Sequence, residues 1–181
     1  MSDKKIIVDA LDWSSWLNLE NEIQAYSFWL RERAAVFAER CAEEGVKIAD
    51  MNFQNAVYAG AIDVRCRVTN IKNDGTTYQA TIEANGETVL FIEFGSGLAF
   101  ANSYQFEHGF APGQYGHHQG LNPKGWLYSG SIGTNPPFGT EPSIKKKGMI
   151  HTYGNPANES LGQAVNELET RIAKIASEVF G

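Results

Sequence analysis

The sequence predicts an α+β chain, and three observations lead there: a run of apolar residues at threes and fours near the start, a second such run at the end, and alternation between them. From about Asp12 to Glu44, Trp16, Leu19, Ile23, Tyr26, Leu30, Ala34, Phe37 and Cys41 mark one face of a long helix. Asp12 or Ser14 can cap its start, and Gly45 is placed to end it. Trp13, Phe28 and Trp29 fall off that stripe, which predicts two apolar faces and contacts beyond the helix's own domain.

The middle of the chain reads as an antiparallel hairpin with one buried face. Ile62, Val64, Cys66 and Val68 alternate with Asp63, Arg65 and Arg67; Asn73-Asp74-Gly75 supplies a turn; Tyr78, Ala80, Ile82 and Ala84 then alternate with Thr77, Gln79, Thr81 and Glu83. Asn85-Gly86 breaks the hairpin, and Glu87 to Phe94 is short enough to be either two helical turns or a strand. The stretch VLFIEFGSG at 89–97 encloses one acid, Glu93, in an apolar run. A carboxylate buried there needs a basic group or backbone amides, with Gly95 and Gly97 allowing the turn that launches the next segment. The alternative is that Glu93 reaches solvent at the segment edge.

Periodicity stops at Leu98. The segment 98–125 is rich in Gly, Gln, Asn and His with aromatic residues spaced through it, and a structureless loop that long is functional or ordered on binding. Trp126 to Gly130 fits a short strand, and 133–150, which includes the run Lys145-Lys146-Lys147, is a second long irregular loop. Leu161, Val165, Leu168, Ile172, Ile175 and Val179 then mark a helix over Glu159 to Phe180, with Asn158 as its cap and Glu159, Glu167 and Lys174 disposed as the helix dipole favours.

At 181 residues and 43% hydrophobic, the chain is expected to form a single domain, 1–181, with a sizeable core. Its 15 Lys plus Arg against 21 Asp plus Glu give a net charge of -6, which argues against a surface built to grip nucleic acid phosphates. Lys145, Lys146 and Lys147 are the one local basic spot. Cys41 and Cys66 make no disulfide framework and no leader opens the chain, so a reduced, cytosolic protein is expected; no apolar run is long enough to span a membrane.

Catalytic chemistry is hard to find. His117 and His118 are adjacent, His108 stands apart from them, and no HExxH or CxxC spacing occurs. Ser96 in FGSGL lacks the spaced glycines of a nucleophile elbow, and Gly95-Ser96-Gly97 is not followed by the GK[ST] of a phosphate loop. No catalytic, metal or cofactor site is expected, and the chain reads as a protein that presents surfaces to neighbours.

The order of motifs adds to this reading. FIEFGSG at 91–97, GWLY at 125–128, HTYGNPA at 151–157 and the helix from Glu159, following a long amphipathic helix and a hairpin, resemble the bacteriophage minor tail protein family, whose members complete or join the tail at the head-tail junction. Asn158-Glu159-Ser160 stands where that family often has an apolar residue entering the last helix, and 98–125 is longer than its pattern. The resemblance implies antiparallel strands packed against the two helices, and a ring, expected to be a hexamer, in the neck or tail of the virion after assembly in the host cytoplasm. Partners would be further copies, other neck, connector and tail proteins, and double-stranded DNA passing through the lumen without sequence-specific binding; no membrane is involved.

On that reading the subunit contacts are expected at Phe91, Glu93, Phe94, Gly95 and Gly97 of the FIEFGSG stretch. Tyr104, Phe106, Phe110 and Tyr115 of the long loop would join them, with Trp126 and Tyr128 of the short strand and Lys145 to Lys147. The alternatives are a phage-associated enzyme or a host-surface binding module using the His- and aromatic-rich loop.

Overall fold

The structure, a computed structural model, describes residues 7–56, 63–115, 121–132 and 135–181, so Ile62, His117 and His118 lie outside the described residues. Its first element, helix α1 (Trp13–Gln54), is 42 residues long, which at the usual rise is about 63 Å. Asp12 caps it, its carboxylate accepting the Ser14 N–H at 3.0 Å.

The helix does not end at Gly45. That glycine is buried on the face toward β2 (Tyr78–Asn85) and α4 (Ser160–Phe180), and a Cβ there would lie 2.4 Å from Ile82 Cδ1 and 3.3 Å from Leu168 Cδ2. Gly45 therefore lets three elements approach closely, and the apolar residues Ile48, Ala49 and Phe53 carry the buried stripe on to the helix end.

Strand β1 (Arg65–Asn73) pairs antiparallel with β2, Arg65 opposite Asn85 and Thr69 opposite Thr81, with a register shift before Lys72 opposite Gln79. Asn70, at φ 49°, sits in that irregularity. The turn is held by Asp74, whose carboxylate accepts the Thr76 and Thr77 N–H groups at 2.9 and 2.7 Å. The hairpin lies against α1, and Phe53, Ala56 and Val64 close one core cluster with Ile92.

Residues 89–93 are helical, forming α2 (Val89–Glu93). Asp63 fixes the entry to it: its carboxylate accepts the Glu87 N–H at 2.5 Å and both the N–H and the hydroxyl of Thr88. The long loop after it is also more regular than expected. A 3-10 turn at Leu98–Phe100 leads to α3 (Ser103–Glu107), which Asn102 caps by accepting the Gln105 N–H at 2.8 Å.

The remaining strands form a second sheet, separate from the hairpin, in the order β3-β5-β4: β3 (Trp126–Ser129), β4 (Glu141–Pro142) and β5 (Met149–Thr152), all antiparallel. The segment 133–150, expected to be irregular throughout, thus contributes β4 and the start of β5.

Helix α4 runs antiparallel to α1. Arg40 meets Glu178 at 2.5 Å, Arg171 meets Glu44, and the Asn52 Nδ2–H donates to the Ser160 carbonyl at 3.1 Å, which fixes the length of α4 along the C-terminal part of α1. Such exposed ion pairs contribute little. Burial of Ala164, Ile175 and Val179 and the contact of Phe180 with Trp29 and Phe37 dominate the packing. Beyond Phe180 the first sixteen residues of α1, Trp13 to Phe28, have no other helix beside them among the described residues, an arm of about 24 Å.

The cap of α4 is not Asn158. Glu159 occupies the cap position in the left-handed region, at φ 53° and ψ 39°, without a side-chain cap bond of its own. The Asn158 amide instead donates to the Asn52 carbonyl at 3.2 Å and to Ser160 Oγ at 2.7 Å.

Candidate functional site

The FIEFGSG and HTYGNPA stretches, about 60 residues apart in sequence, dock on each other. Ser96 and Asn155 form an isolated antiparallel bridge, their N–H groups donating to each other's carbonyls at 2.8 and 3.1 Å, and the Asn155 amide donates to the Phe91 carbonyl at 2.7 Å. The approach is so close that a Cβ on Gly97 would lie 2.0 Å from the Tyr153 carbonyl oxygen, and Gly97 holds φ +84°. The glycines thus do more than launch the loop.

Glu93 is 1% exposed and stands at the centre of this junction. One carboxylate oxygen accepts the Leu161 N–H at 2.8 Å; the other accepts the Gly162 N–H at 3.3 Å and the Tyr104 hydroxyl at 2.5 Å. An acceptor-only group therefore meets three donors, two of them the otherwise orphaned amides of the first turn of α4, where the helix dipole favours negative charge. The sequence-based expectation of a basic group or backbone amides resolves to the amides, joined by a tyrosine. In return, the Ile92 and Glu93 carbonyls accept the Asn158 and Glu159 N–H groups at 2.8 and 3.1 Å. Burial, with the Glu93 carboxylate beside it, holds the Tyr104 hydroxyl well above the usual tyrosine range.

The loop aromatics close over this junction. Phe94 packs on Tyr104 and Phe110 with ring centroids 5.5 and 4.5 Å apart, and Tyr115 meets Phe91 edge-on at 5.5 Å. Tyr115 donates its hydroxyl to the Gly95 carbonyl and accepts from Gln105 Nε2 at 2.8 Å. Of the residues expected to contact other subunits, Glu93, Phe94, Gly95 and Gly97 are buried inside their own chain, while Phe91, Tyr104, Phe110 and Tyr115 are partly buried against one another. Phe106 and the three lysines are exposed.

Trp126 and Tyr128 of β3 face Phe91 and Ser96 across a cleft that continues past Thr152 and Asn155, its larger lobe about 650 Å³. Its polar groups are mostly engaged: Ser96 Oγ bonds to Asn155 Oδ1 at 2.5 Å, and Thr152 Oγ1 lies 3.0 Å from Thr140 Oγ1. His151 is held edge-on to Tyr153, with Nε2 2.8 Å from the Lys124 carbonyl, and His108 packs on Tyr104 with its ring tilted by 46°. Burial, with the Asp50 carboxylate nearby, pushes the Cys66 thiol up to about 12, so it is no nucleophile at neutral pH. Among the described residues no three of His, Cys, Asp and Glu are grouped to hold a metal ion, and no helix is long and apolar enough to cross a membrane.

A run of exposed apolar side chains lies elsewhere. On the α1 arm, Trp13 is 75% exposed, Phe28 65%, Ile23 54% and Tyr26 53%; Trp16 and Leu17 are nearly half exposed. The sequence flagged it only through Trp13, Phe28 and Trp29 falling off the main stripe. Trp13 and Phe28 were expected to reach beyond the helix's own domain, while the named subunit contacts were expected in other segments. Comparison of the chain with protein-family models, with curated proteins and with solved structures finds no match.

Proposed function

We propose that the chain is a non-enzymatic structural subunit of a bacteriophage neck or tail that assembles into a ring at the head-tail junction. The observation that carries this reading is the α1 arm: exposed Trp, Ile, Tyr and Phe side chains crowd one projecting helix, and contiguous exposed apolar surface of this kind marks an interaction site. The motif order of the sequence supplies the phage context. The net charge of -6 suits a lumen through which DNA passes without being retained, since a basic lining would hold phosphates by counterion release. Purified virions imaged with a label on this protein test the reading: rings at the neck are expected. A protein absent from virus particles would overturn it.

A second reading, a host-surface binding module, is favoured by the cleft between α2 and β3, lined by Phe91, Trp126 and Tyr128. It predicts that Trp126→Ala abolishes adsorption to cells while leaving particle assembly intact; an unchanged adsorption rate removes it.

A further inference from the structure

The two edges of the second sheet are built differently. The Ser143 N–H donates to the Met149 carbonyl at 2.8 Å, so Met149 and His151 turn their backbone groups toward β4. Ile150 and Thr152 then turn theirs toward β3, where they pair with Tyr128 and Trp126. The backbone groups of Leu127 and Ser129 are left facing outward, and among the described residues no further strand pairs with them. At the opposite edge the outward-facing residue is Pro142, which has no N–H to offer. The sheet is thus closed at β4 and open at β3, whose residues Trp-Leu-Tyr-Ser include neither a charge nor a proline.

A groove runs beside the open edge. All four β3 residues line it, and because successive side chains point to opposite faces, a groove that touches all four follows the edge of the strand. Ser96, Gly97 and Gly113 form the opposite wall, and no charged side chain lines either lobe of the cleft. Such a walled groove suits one extended, uncharged segment and obstructs edge-to-edge pairing of two whole sheets.

The chain holds a segment of that chemistry. Ile6-Ile7-Val8 is its only run of three β-branched residues, flanked by Lys5 and Asp9, charges placed just outside an apolar strand former. Ile7 and Val8 precede α1 outside any helix or strand, and Ile7 is 78% exposed. One copy cannot seat its own segment. The second sheet is tied through Ser96 and Asn155 to α2, which meets the N-terminus of α4, and Ser160 there is bonded to Asn52 near the C-terminal end of α1. Trp16 and Asn52 are separated along a continuous helix by about 54 Å at 1.5 Å per residue, so Ile7 and β3 belong to opposite ends of α1.

We propose that Ile6-Ile7-Val8 of one copy adds to the open edge of β3 in the next as an antiparallel strand. Ile6 and Val8, two positions apart, bond to Ser129 and Leu127, which sets Ile7 opposite Tyr128 and on the face that Trp126 and Phe91 share. The contact joins two different patches, so repeating it generates a closed ring, or a filament where the rotation does not close. The inference rests on the self-assembly part of the ring reading and deepens it by naming the segment and the edge that meet; the host-surface reading claims the same cleft.

Two substitutions in the full chain test this. Ile7→Asp and Ser129→Pro both alter exposed residues, Ser129→Pro removes an outward N–H while leaving the pairing with β5, and circular dichroism checks that each variant stays folded. Sedimentation of the wild type is expected to give assemblies above 19.9 kDa, and each variant to associate about tenfold more weakly. An excess of the synthetic peptide MSDKKIIVD should dissociate wild-type assemblies, and the same peptide N-methylated at Ile6 and Val8 should not. An Ile7→Asp variant that assembles like the wild type assigns the groove to another strand, and a Ser129→Pro variant that does so assigns the segment another seat. Either result, or a methylated peptide as effective as the plain one, overturns the docking while leaving the ring reading standing. A wild type that stays at 19.9 kDa at every concentration overturns both.

Discussion

Replacing Glu93 by Gln probes the junction on which the described architecture turns. The substitution keeps size and shape but leaves one acceptor oxygen where the carboxylate had two. Placed toward Leu161, that oxygen leaves an NH2 group facing the Gly162 N–H; turned the other way, the NH2 group faces the Leu161 N–H, 2.8 Å from the present oxygen. Either way a buried donor loses its partner in a site 1% exposed. A hydrogen bond to a charged group contributes about 1.5–3 kcal/mol, and a negative charge at a partly buried helix N-terminus adds up to about 2 kcal/mol. Because the two effects overlap, we expect a loss of about 2–4 kcal/mol, which for a chain of this size lowers the melting midpoint by roughly 5–15 °C. Tyr104→Phe removes one donor and leaves the amides, so it should cost about 1 kcal/mol. Urea titration followed by circular dichroism measures both, and the double variant gives their coupling. If Glu93→Gln changes stability by less than about 0.5 kcal/mol, the carboxylate is not what fastens α2 to α4.

Four further outcomes are expected. Gly97→Ala, whose Cβ would meet the Tyr153 carbonyl oxygen at 2.0 Å with φ at +84°, should cost roughly 3 kcal/mol or more, because backbone must move; thermal melting checks it. Hydrogen bonds, first from the Thr88 hydroxyl to Asp63 and from the Thr76 N–H to Asp74, hold these carboxyls below the usual range, so the stability they lend is present above the unfolded value of about 4 and is lost as pH falls through the folded values; Asp63→Asn should flatten that acid limb. On the alkaline side, the raised Tyr104 lends stability that is complete below about 10 and lost as pH rises toward its folded value, a slope that Tyr104→Phe should remove. Cys66, with its thiol pushed up to about 12, should resist iodoacetamide in the folded protein at pH 8 and react on unfolding, as mass spectrometry would show.

Much of this fold is legible in local sequence patterns. The two long helices and the hairpin are written in periods of 3.6 and 2, which depend only on which residues face the core. The anomaly of Glu93 was legible too, since an acid in an apolar run demands a partner; its partners were not, because Leu161 lies 68 positions away and offers a backbone amide that no side-chain pattern encodes. Gly45 misled for a related reason: a helix-ending glycine and a glycine that admits Ile82 and Leu168 look alike in sequence, and tertiary packing decides between them. The order within 98–115 depends on Asn102 as a cap and on aromatic contacts between Phe94, Tyr104, Phe110 and Tyr115, again long-range or sparsely spaced. The second sheet escaped notice because β4 is only Glu141–Pro142 and borrows its register from β5.

Whether another subunit covers the α1 arm can be read directly by oxidative footprinting of Trp13, Trp16 and Phe28, comparing dilute protein with the assembled particle. Loss of labelling at these three side chains on assembly, with labelling of the exposed α4 residue Val165 retained as a reference, is the predicted result. Equal labelling of the arm in both states would show that these aromatic side chains remain in water, and would contradict assembly through the arm.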